Sequence, residues 1–257
     1  MHPILFKIGP FTIHTYGVLV ALGFLIGTSF AIKHAKEYNI TKDTIVDIAF
    51  YIILSALIGS RLFFILIKLD YYIKNPLSIF KIWEGGLVFY GGVLLAIPVV
   101  ILYAKKHFLS ILKIADIFSP SIAIGHAIGR LGCFSAGCCY GKPSSTLPWA
   151  ITFTDPHSIA PIGIPLHPTQ LYESLGEFTN FIILLILRKK KSFDGQLFLI
   201  YLIFYSILRF TIEFFRGDPD RGLILTTFSI PQFISLLTFF SSIIIYIKLK
   251  KTRSISS

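Results

Sequence analysis

Long apolar segments, spread over nearly the whole chain, constrain the fold more than any other feature. A helix needs about 20 mainly apolar residues to cross the roughly 30 Å hydrocarbon layer of a membrane. Seven segments approach that length, and no small-residue cleavage site follows the first one, which argues against a signal peptide. They are Tyr16–Ile32, Thr44–Ile67, Leu87–Ala104, Ile114–Phe134, Leu171–Leu187, Gly195–Phe215 and Ile230–Ile247. We predict an all-α integral membrane protein with seven transmembrane helices in a single membrane domain, residues 1–257.

The distribution of charge predicts how the helices are oriented. The chain is 54% hydrophobic and only 14% charged, which is too apolar for an ordinary soluble domain. Loops one, three and five and the C-terminal tail hold 14 lysines and arginines, and the opposite side holds 7. Cytoplasmic loops are enriched in these residues, so we predict an external N-terminus and a cytoplasmic C-terminus. The net charge of +11 is therefore a topology feature, and a nucleic-acid partner is not expected.

Proline and glycine mark two further regions. Residues 135–170 are rich in both, and we predict that they form a small irregular extracytoplasmic head. Pro98 and Pro120, together with glycines of the fourth apolar segment, are expected to interrupt the third and fourth helices. Such breaks survive in lipid only where they are buried in protein or line a wet cavity. The sequence shows no internal repeat and no soluble second domain.

Three arginines fall inside apolar segments: Arg61, Arg130 and Arg209. A guanidinium at membrane depth costs between about 2.5 and 17 kcal/mol, depending on whether it finds water or a counter-charge. We therefore predict an internal pocket for an anion. Phosphate fits better than a carboxylate, because two converging arginines suit a doubly charged group. The glycines near Arg130, which are Gly129, Gly132, Gly137 and Gly141, are expected to present backbone N–H groups to phosphate oxygens.

The neighbours of two arginines can be predicted from helical spacing. Arg209 and Glu213 are four residues apart and can pair on one helix face, with Tyr205 on the same stripe. A purely structural ion pair is the alternative interpretation of that stripe. Arg130 has no acid on its own face, and His126 lies one turn before it. Its partner must come from another element.

Two acids open the fifth apolar segment. Glu173 and Glu177 are four residues apart, so they lie on one helix face. We predict that they hold Arg61 or Arg216 in a structural role, in preference to acting as a catalytic carboxylate pair.

Taken in order, six blocks of the chain resemble the prolipoprotein diacylglyceryl transferase family. They are Ile13-His-Thr-Tyr-Gly17, Gly59-Ser-Arg61, Trp83-Glu-Gly-Gly-Leu-Val-Phe-Tyr-Gly-Gly92, Gly129-Arg-Leu-Gly132 with Gly141, His167-Pro-Thr-Gln-Leu-Tyr-Glu173 and Arg209-Phe-Thr-Ile-Glu-Phe-Phe-Arg216. The blocks span nearly the whole chain. Their order and spacing, together with the number of apolar segments, make the resemblance specific where any single block would be weak.

The resemblance implies a multi-pass enzyme of the bacterial cytoplasmic membrane. Such an enzyme moves the diacylglyceryl group of phosphatidylglycerol onto the thiol of the lipobox cysteine in a prolipoprotein signal peptide, and glycerol 1-phosphate leaves. It also implies that Arg130 and Arg209 bind the lipid phosphate, and that no cofactor is needed. The supporting site residues that it implies are Tyr16, Gly141, Tyr205 and Glu213.

The chain departs from the family pattern at two positions. The usual Phe-His-Gly-Gly reads Phe89-Tyr90-Gly91-Gly92 here, and the usual Gly-Asn-Phe reads Gly132-Cys133-Phe134. The family's histidine is often assigned as the base. Its replacement by Tyr90 leaves three candidates in this chain, namely His126, His167 and Tyr90. A free cysteine thiol has a pKa of about 8.5, so the field of two arginines can also favour the substrate thiolate without a base.

The three cysteines, Cys133, Cys138 and Cys139, fall within seven residues. Their spacing does not match a tetrahedral zinc pattern, so no metal is expected. A disulfide from Cys133 to Cys138 or Cys139 is an alternative to simple packing.

Two other functions stay open from the sequence. A related membrane lipid transferase with another acceptor would account for Tyr90 and Cys133. An anion or lipid transporter would account for buried arginines and broken helices, although transporters of that kind often contain internal repeats.

Overall fold

The computed structural model describes residues 2–9, 11–81, 85–218, 223–224 and 228–256. The helices are α1 (Thr15–Ala35), α2 (Lys42–Ile67), α3 (Leu69–Lys74), α4 (Phe89–Lys106), α5 (Ile111–Ala136), α6 (Thr169–Arg188), α7 (Gln196–Glu213) and α8 (Ile230–Ser256). Trp83, which lies in one block of the resemblance, and Arg221, which was counted in the charge distribution, fall outside the described residues.

Within the described residues, six helices are long and apolar enough to cross a membrane. These are α1, α2, α4, α5, α7 and α8, and large apolar side chains such as Leu25, Leu66 and Ile244 are exposed along them, as expected for surfaces that face lipid. The protein is therefore a mostly helical, multi-pass membrane protein. The remaining long helix, α6, has 20 residues but carries Glu173, Glu177 and Asn180 in its buried face. Because of this polarity, α6 is not one of the six apolar helices, so the predicted count of seven transmembrane helices is not confirmed.

The predicted interruptions of the third and fourth apolar segments are wrong. Helix α4 continues through Pro98, and α5 continues through Pro120 as a single helix of 26 residues. The glycines serve close packing instead. A Cβ added at Gly23 of α1 would lie 2.7 Å from the carbonyl oxygen of Gly125 in α5. Because both positions lack side chains, the two backbones can approach each other, as small residues allow in membrane helices.

The chain forms two compact units. One comprises residues Met1–Ala31 and Ala115–Ser257, and the other comprises Ile32–Ile114. In the second unit, α2 and α4 pack closely at Gly59 and Gly91, where each glycine faces the backbone carbonyl of the other.

The core of the first unit lies between α5, α6 and α7. Its buried residues are Ala123, Ile124, Phe181, Leu184, Leu197 and Tyr201. Asp116 of α5 ties these helices together, because its carboxylate accepts hydrogen bonds from the backbone N–H groups of Gly195 (2.7 Å) and Phe198 (3.0 Å) at the start of α7. Ser174 of α6 donates to the carbonyl of Ala127 in α5 at 2.8 Å. This packing fixes the relative positions of the three helices that carry the site.

Short strands add to the helices, so the all-α prediction is correct only for the bulk of the chain. The part of the chain that the structure describes holds three antiparallel two-stranded sheets: β1 (Ile4–Ile8) with β2 (Phe11–His14), β3 (Ile151–Thr152) with β4 (Pro165–Leu166), and β5 (Leu223–Ile224) with β6 (Phe228–Ser229). The segment between α5 and α6 is otherwise irregular and packs around buried Phe153, Ala160 and Leu166.

Candidate functional site

Arg130 lies on α5 and has three side-chain partners. Its Nη2 donates to Oε1 of Glu173 at 2.7 Å, and its Nε donates to Nε2 of His126 at 3.1 Å. Its Nη1 lies 3.9 Å from Sγ of Cys133. The Arg130 side chain is 15% exposed and that of Glu173 only 1%, so this ion pair is largely desolvated. A desolvated guanidinium with side-chain partners can exchange one of them for an anion.

Glu173 supplies the counter-charge that Arg130 lacks on its own helix. The prediction that Glu173 holds Arg61 or Arg216 is wrong. Arg61 donates all its hydrogen bonds in the described structure to backbone carbonyls, and Arg216 pairs with Asp218 through Nε (2.6 Å) and Nη2 (2.5 Å). The expected role of Arg61 in an anion pocket is wrong for the same reason. Burial opposes the charged form of Arg216, but the hydrogen bonds with Asp218 raise its pKa overall.

His126 connects Arg130 to the second acid of α6. Its Nδ1 lies 3.7 Å from Oε1 of Glu177, and its Nε2 lies 3.7 Å from Oε1 of Glu173. An arginine nitrogen can only donate, so Nε2 must accept the bond from Arg130 and cannot carry a proton in this arrangement. The lone pair that a base would use is therefore occupied. The sequence singled out His126 correctly as a neighbour of Arg130, but it did not indicate this restraint.

The pair of Arg209 and Glu213 on α7 is confirmed. Nη2 of Arg209 lies 2.9 Å from Oε2 of Glu213, and the Arg209 side chain is 12% exposed while that of Glu213 is only 1% exposed. Within the described part of the chain, Nη1 of Arg209 is buried without a hydrogen-bond acceptor. Tyr205, one turn before Arg209 on α7, has its ring 5.7 Å from that of His126, which is the hydrogen-bond partner of Arg130. The two arginines therefore lie beside the same pair of rings.

Tyr205 packs against two neighbouring rings. Its ring stacks on Tyr201 at a centroid distance of 6.0 Å and lies 5.7 Å from the ring of His126. Tyr16 at the start of α1 interacts electrostatically with Arg130 and with all three cysteines. Tyr16, His126, Arg130 and Tyr205 all belong to the first unit.

The predicted phosphate cradle of glycine N–H groups is wrong. Gly129 and Gly132 lie inside helix α5, where backbone N–H groups bond within the helix. Gly137 N donates to the carbonyl of Phe134, and Gly141 N donates to that of His167 at 3.1 Å. Gly141 is required for another reason. An added Cβ there would lie 2.5 Å from the carbonyl oxygen of His167 and 2.9 Å from that of Phe215, so only glycine lets the three backbones meet.

The two other base candidates are His167, in the first unit, and Tyr90, in the second. His167 contacts Tyr172, with its Nδ1 3.5 Å from the hydroxyl, and its ring packs against Phe215. Tyr90 lies in the second unit at the start of α4 and is half exposed beside Phe89.

A partly exposed acid of the segment between α5 and α6, Asp155, has a shifted pKa. The backbone N–H and the imidazole of His157 hold the pKa of Asp155 below its usual range.

The three cysteines lie close to Arg130 and are free thiols, so the disulfide alternative is absent from this structure. Thr169 and Gln170, at the start of α6, donate hydrogen bonds of 2.8 Å to the carbonyls of Cys139 and Cys138. These bonds attach the turn after α5 to the helix that carries Glu173.

The fold and the site together define a multi-pass membrane protein that buries two arginine charges, each beside a glutamate from the same unit. A sequence profile described as prolipoprotein diacylglyceryl transferase matches residues 3–248. The phosphatidylglycerol–prolipoprotein diacylglyceryl transferase of Finegoldia magna is 39% identical over 98% of this chain and 97% of its own length. The proteins of the same name from Clostridium tetani (38% identical, 96% and 97% covered) and Bacillus licheniformis (38%, 92% and 88%) are similarly close. The chain belongs to the prolipoprotein diacylglyceryl transferase family, a family of transferases.

Proposed function

We propose that this protein transfers the diacylglyceryl group of phosphatidylglycerol to the lipobox cysteine of prolipoproteins and releases glycerol 1-phosphate. Membership of the family and near full-length similarity to proteins of that name support the reaction. The observation that carries the proposal is the position of Arg130 and Arg209 beside the same pair of rings. It offers positive charge at membrane depth, where a phospholipid headgroup can enter.

The reaction is a displacement at a glycerol carbon. The sulfur of the substrate thiolate forms a bond to that carbon, and the bond from the carbon to the phosphate oxygen breaks. The electron pair stays on the oxygen, so the phosphate changes from a diester with one negative charge to a monoester that can carry two. Arg130 and Arg209 stabilise this second charge most, because fixed cations favour negative charge that develops in the transition state.

Ion-pair geometry supports the role of the two arginines in holding phosphate. Arg130 donates from Nη2 to Glu173 and from Nε to His126, while within the described residues Nη1 has only the weak contact with Cys133. Arg209 has a buried Nη1 without an acceptor in the described structure. One terminal nitrogen from each guanidinium can therefore donate to a phosphate oxygen without breaking either glutamate pair.

The substrate thiol loses its proton in a positive field. A thiol is about 3% ionised at pH 7 when its pKa is about 8.5, and nearby cations increase that fraction. We favour this route because Nε2 of His126 is occupied by Arg130. His126 then acts as a positioning residue, and Tyr16, Gly141, Tyr205, Glu213, His167 and Tyr90 remain candidates for contact with the substrates.

The proposed topology places seven helices in the bacterial cytoplasmic membrane, with α6 as the polar seventh helix of a single membrane domain. Glu173, Glu177 and Asn180 on α6 are buried, so its polar face can span the membrane by facing protein. The excess of lysine and arginine puts the N-terminus and the head, residues 135–170, outside. Alkaline phosphatase and green fluorescent protein fused in turn to the C-terminus test this. Fluorescence without phosphatase activity is expected, and the reverse would refute the orientation.

An assay with a synthetic lipobox peptide tests the function. The purified protein is incubated in detergent with phosphatidylglycerol, and the peptide is weighed by mass spectrometry. A mass gain of one diacylglyceryl group is expected, together with release of glycerol 1-phosphate. A peptide with serine in place of the cysteine should stay unmodified. Consumption of lipid without peptide modification would favour a transferase with another acceptor, and no consumption would favour a transporter.

A further inference from the structure

All three cysteines of the chain meet in one cluster beside Arg130. Cys133 comes from the last turns of α5, and Cys138 and Cys139 come from the turn that follows. Their three Sγ atoms all lie within 4.8 Å of one another. Linear spacing did not predict this cluster, because it depends on the turn at Gly137, between Cys133 and Cys138.

The turn that carries the cluster has an unusual backbone conformation, which side chains at the start of α6 hold in place. Gly137 and Cys139 both have left-handed backbone angles, with φ of 76° and 59°. This conformation is costly for a residue with a side chain, so surrounding contacts must maintain it at Cys139. Thr169 and Gln170 supply such contacts by donating to the carbonyls of Cys139 and Cys138, both at 2.8 Å. The thiols are therefore brought together before any ligand arrives.

We propose that Cys133, Cys138 and Cys139 bind one soft, thiophilic divalent metal ion of the Zn²⁺ and Cd²⁺ class. Metal–sulfur bonds of about 2.3 Å place three coordinating sulfurs roughly 4 Å apart. The observed sulfur cluster needs only a small contraction to reach that geometry. A disulfide needs a sulfur separation of about 2.05 Å and leaves the third thiol unused. Three converging sulfurs thus match a metal better than a covalent bridge.

A positive charge lies beside the cluster. Nη1 of Arg130 lies 3.9 Å from Sγ of Cys133. Metal binding releases the thiol protons, because thiolates are the ligands of soft metals, and the Arg130 guanidinium offsets part of the negative charge of the three sulfurs. Three protein ligands leave one coordination position for water or another small ligand.

Titration of the full-length, reduced protein in detergent with CdCl₂ under anaerobic conditions tests the proposal. Sulfur-to-cadmium charge-transfer absorption should rise and saturate at one ion per chain. Cys133→Ser, Cys138→Ser and Cys139→Ser should each weaken binding by more than the roughly 10–100-fold that loss of a second-shell partner costs. The triple variant should show no such absorption. His157→Gln is the matched control, because it removes an exposed metal-binding side chain of the segment between α5 and α6, and it should bind like the parent.

Alkylation of the unmodified protein gives a test that needs no variant to fold. One equivalent of Cd²⁺ should protect all three cysteines from iodoacetamide, as judged by intact mass. Unchanged alkylation in the presence of Cd²⁺ would overturn the proposal, as would equal cadmium binding by the triple variant. An acid-quenched cell extract in which the protein lacks two hydrogens would assign the cluster to a disulfide and also overturn it.

Discussion

Arg61 and Arg130 are both buried arginines of membrane helices, but they are satisfied in different ways. Arg61, on α2, makes five hydrogen bonds to the backbone carbonyls of Ser78, Ile79, Lys81, Gly85 and Gly86. The rings of Tyr72 and Phe64 also lie 5.4 and 6.0 Å from its guanidinium. Arg130 bonds to the side chains of Glu173 and His126 and has a weak contact with Cys133.

The difference separates a structural arginine from one suited to a ligand. Five carbonyl bonds use every N–H of the Arg61 guanidinium, and an anion could bind only by displacing them. Among the described residues, the only hydrogen-bond partner of Arg130 Nη1 is the Cys133 thiol, and the counter-charge of Arg130 is a side chain that can move. Burial alone therefore does not identify an anion site, whereas the chemical nature of the partners does.

The largest expected effect comes from removing the acid beside Arg130. Glu173→Gln leaves the guanidinium buried without a counter-charge, which should lower the free energy of unfolding by about 3–5 kcal/mol. Unfolding in mixed detergent micelles, followed by circular dichroism, measures this. Glu177→Gln is the matched control, since Glu177 lies 3.7 Å from a nitrogen of His126 whereas Glu173 lies 2.7 Å from the Arg130 guanidinium, and this variant should lose much less. Equal losses in the two variants would mean that the ion pair of Arg130 and Glu173 makes no particular contribution to the free energy of unfolding.

The sequence predicted the parts of this arrangement that are local. Arg209 and Glu213 are four residues apart in a helix, so their pairing followed from helix geometry alone. Arg130 and Glu173 are 43 residues apart, and only the packing of α5 against α6 brings them together. One sequence feature could have indicated the pair: Glu173 and Glu177 lie on one helix face, and a lone arginine of another helix had no acid.

Backbone bonding explains the remaining errors. The glycines near Arg130 were expected to present N–H groups to a phosphate. Two of these N–H groups instead bond within helix α5, and the other two donate to backbone carbonyls. Pro120 was expected to interrupt a helix that in fact continues, because neighbouring helices can satisfy the backbone groups that a proline frees in membrane proteins. Sequence patterns identify which residues are unusual, whereas the partners of their backbone groups depend on the fold.

Substitution of the ligand-suited arginine should reduce turnover most. Arg130→Lys keeps the charge but loses the planar fork, and we expect the rate of diacylglyceryl transfer to fall by about 10²–10³-fold. Transfer to a lipobox peptide at saturating phosphatidylglycerol, normalised to folded protein, is the measurement. Turnover within a few-fold of the parent would remove Arg130 from the reaction.

The same substitution at the carbonyl-bonded arginine should affect stability instead. Arg61→Lys loses at least two of five hydrogen bonds, because an ammonium has three donors, and should cost about 2 kcal/mol of unfolding free energy. Turnover of the folded fraction should match the parent, since no partner of Arg61 in the described structure is a side chain of the proposed site. A specific loss of turnover with unchanged stability would reverse the comparison between the two arginines.

The smallest effect is expected at His126, where it decides between positioning and proton transfer. Glutamine at this position still offers an acceptor to Nε of Arg130, so His126→Gln should lower turnover by less than about tenfold, which is about 1.4 kcal/mol of barrier. The pH dependence of turnover should keep its shape. A general base would instead contribute about 10²–10⁴-fold, and its loss would remove the acidic limb of the pH profile. Leucine offers no acceptor to Arg130. If His126 acts through Arg130, the loss of turnover in His126→Leu should be similar to that in Arg130→Lys. Full activity in His126→Leu would show that the bond between the two side chains does not matter for the reaction.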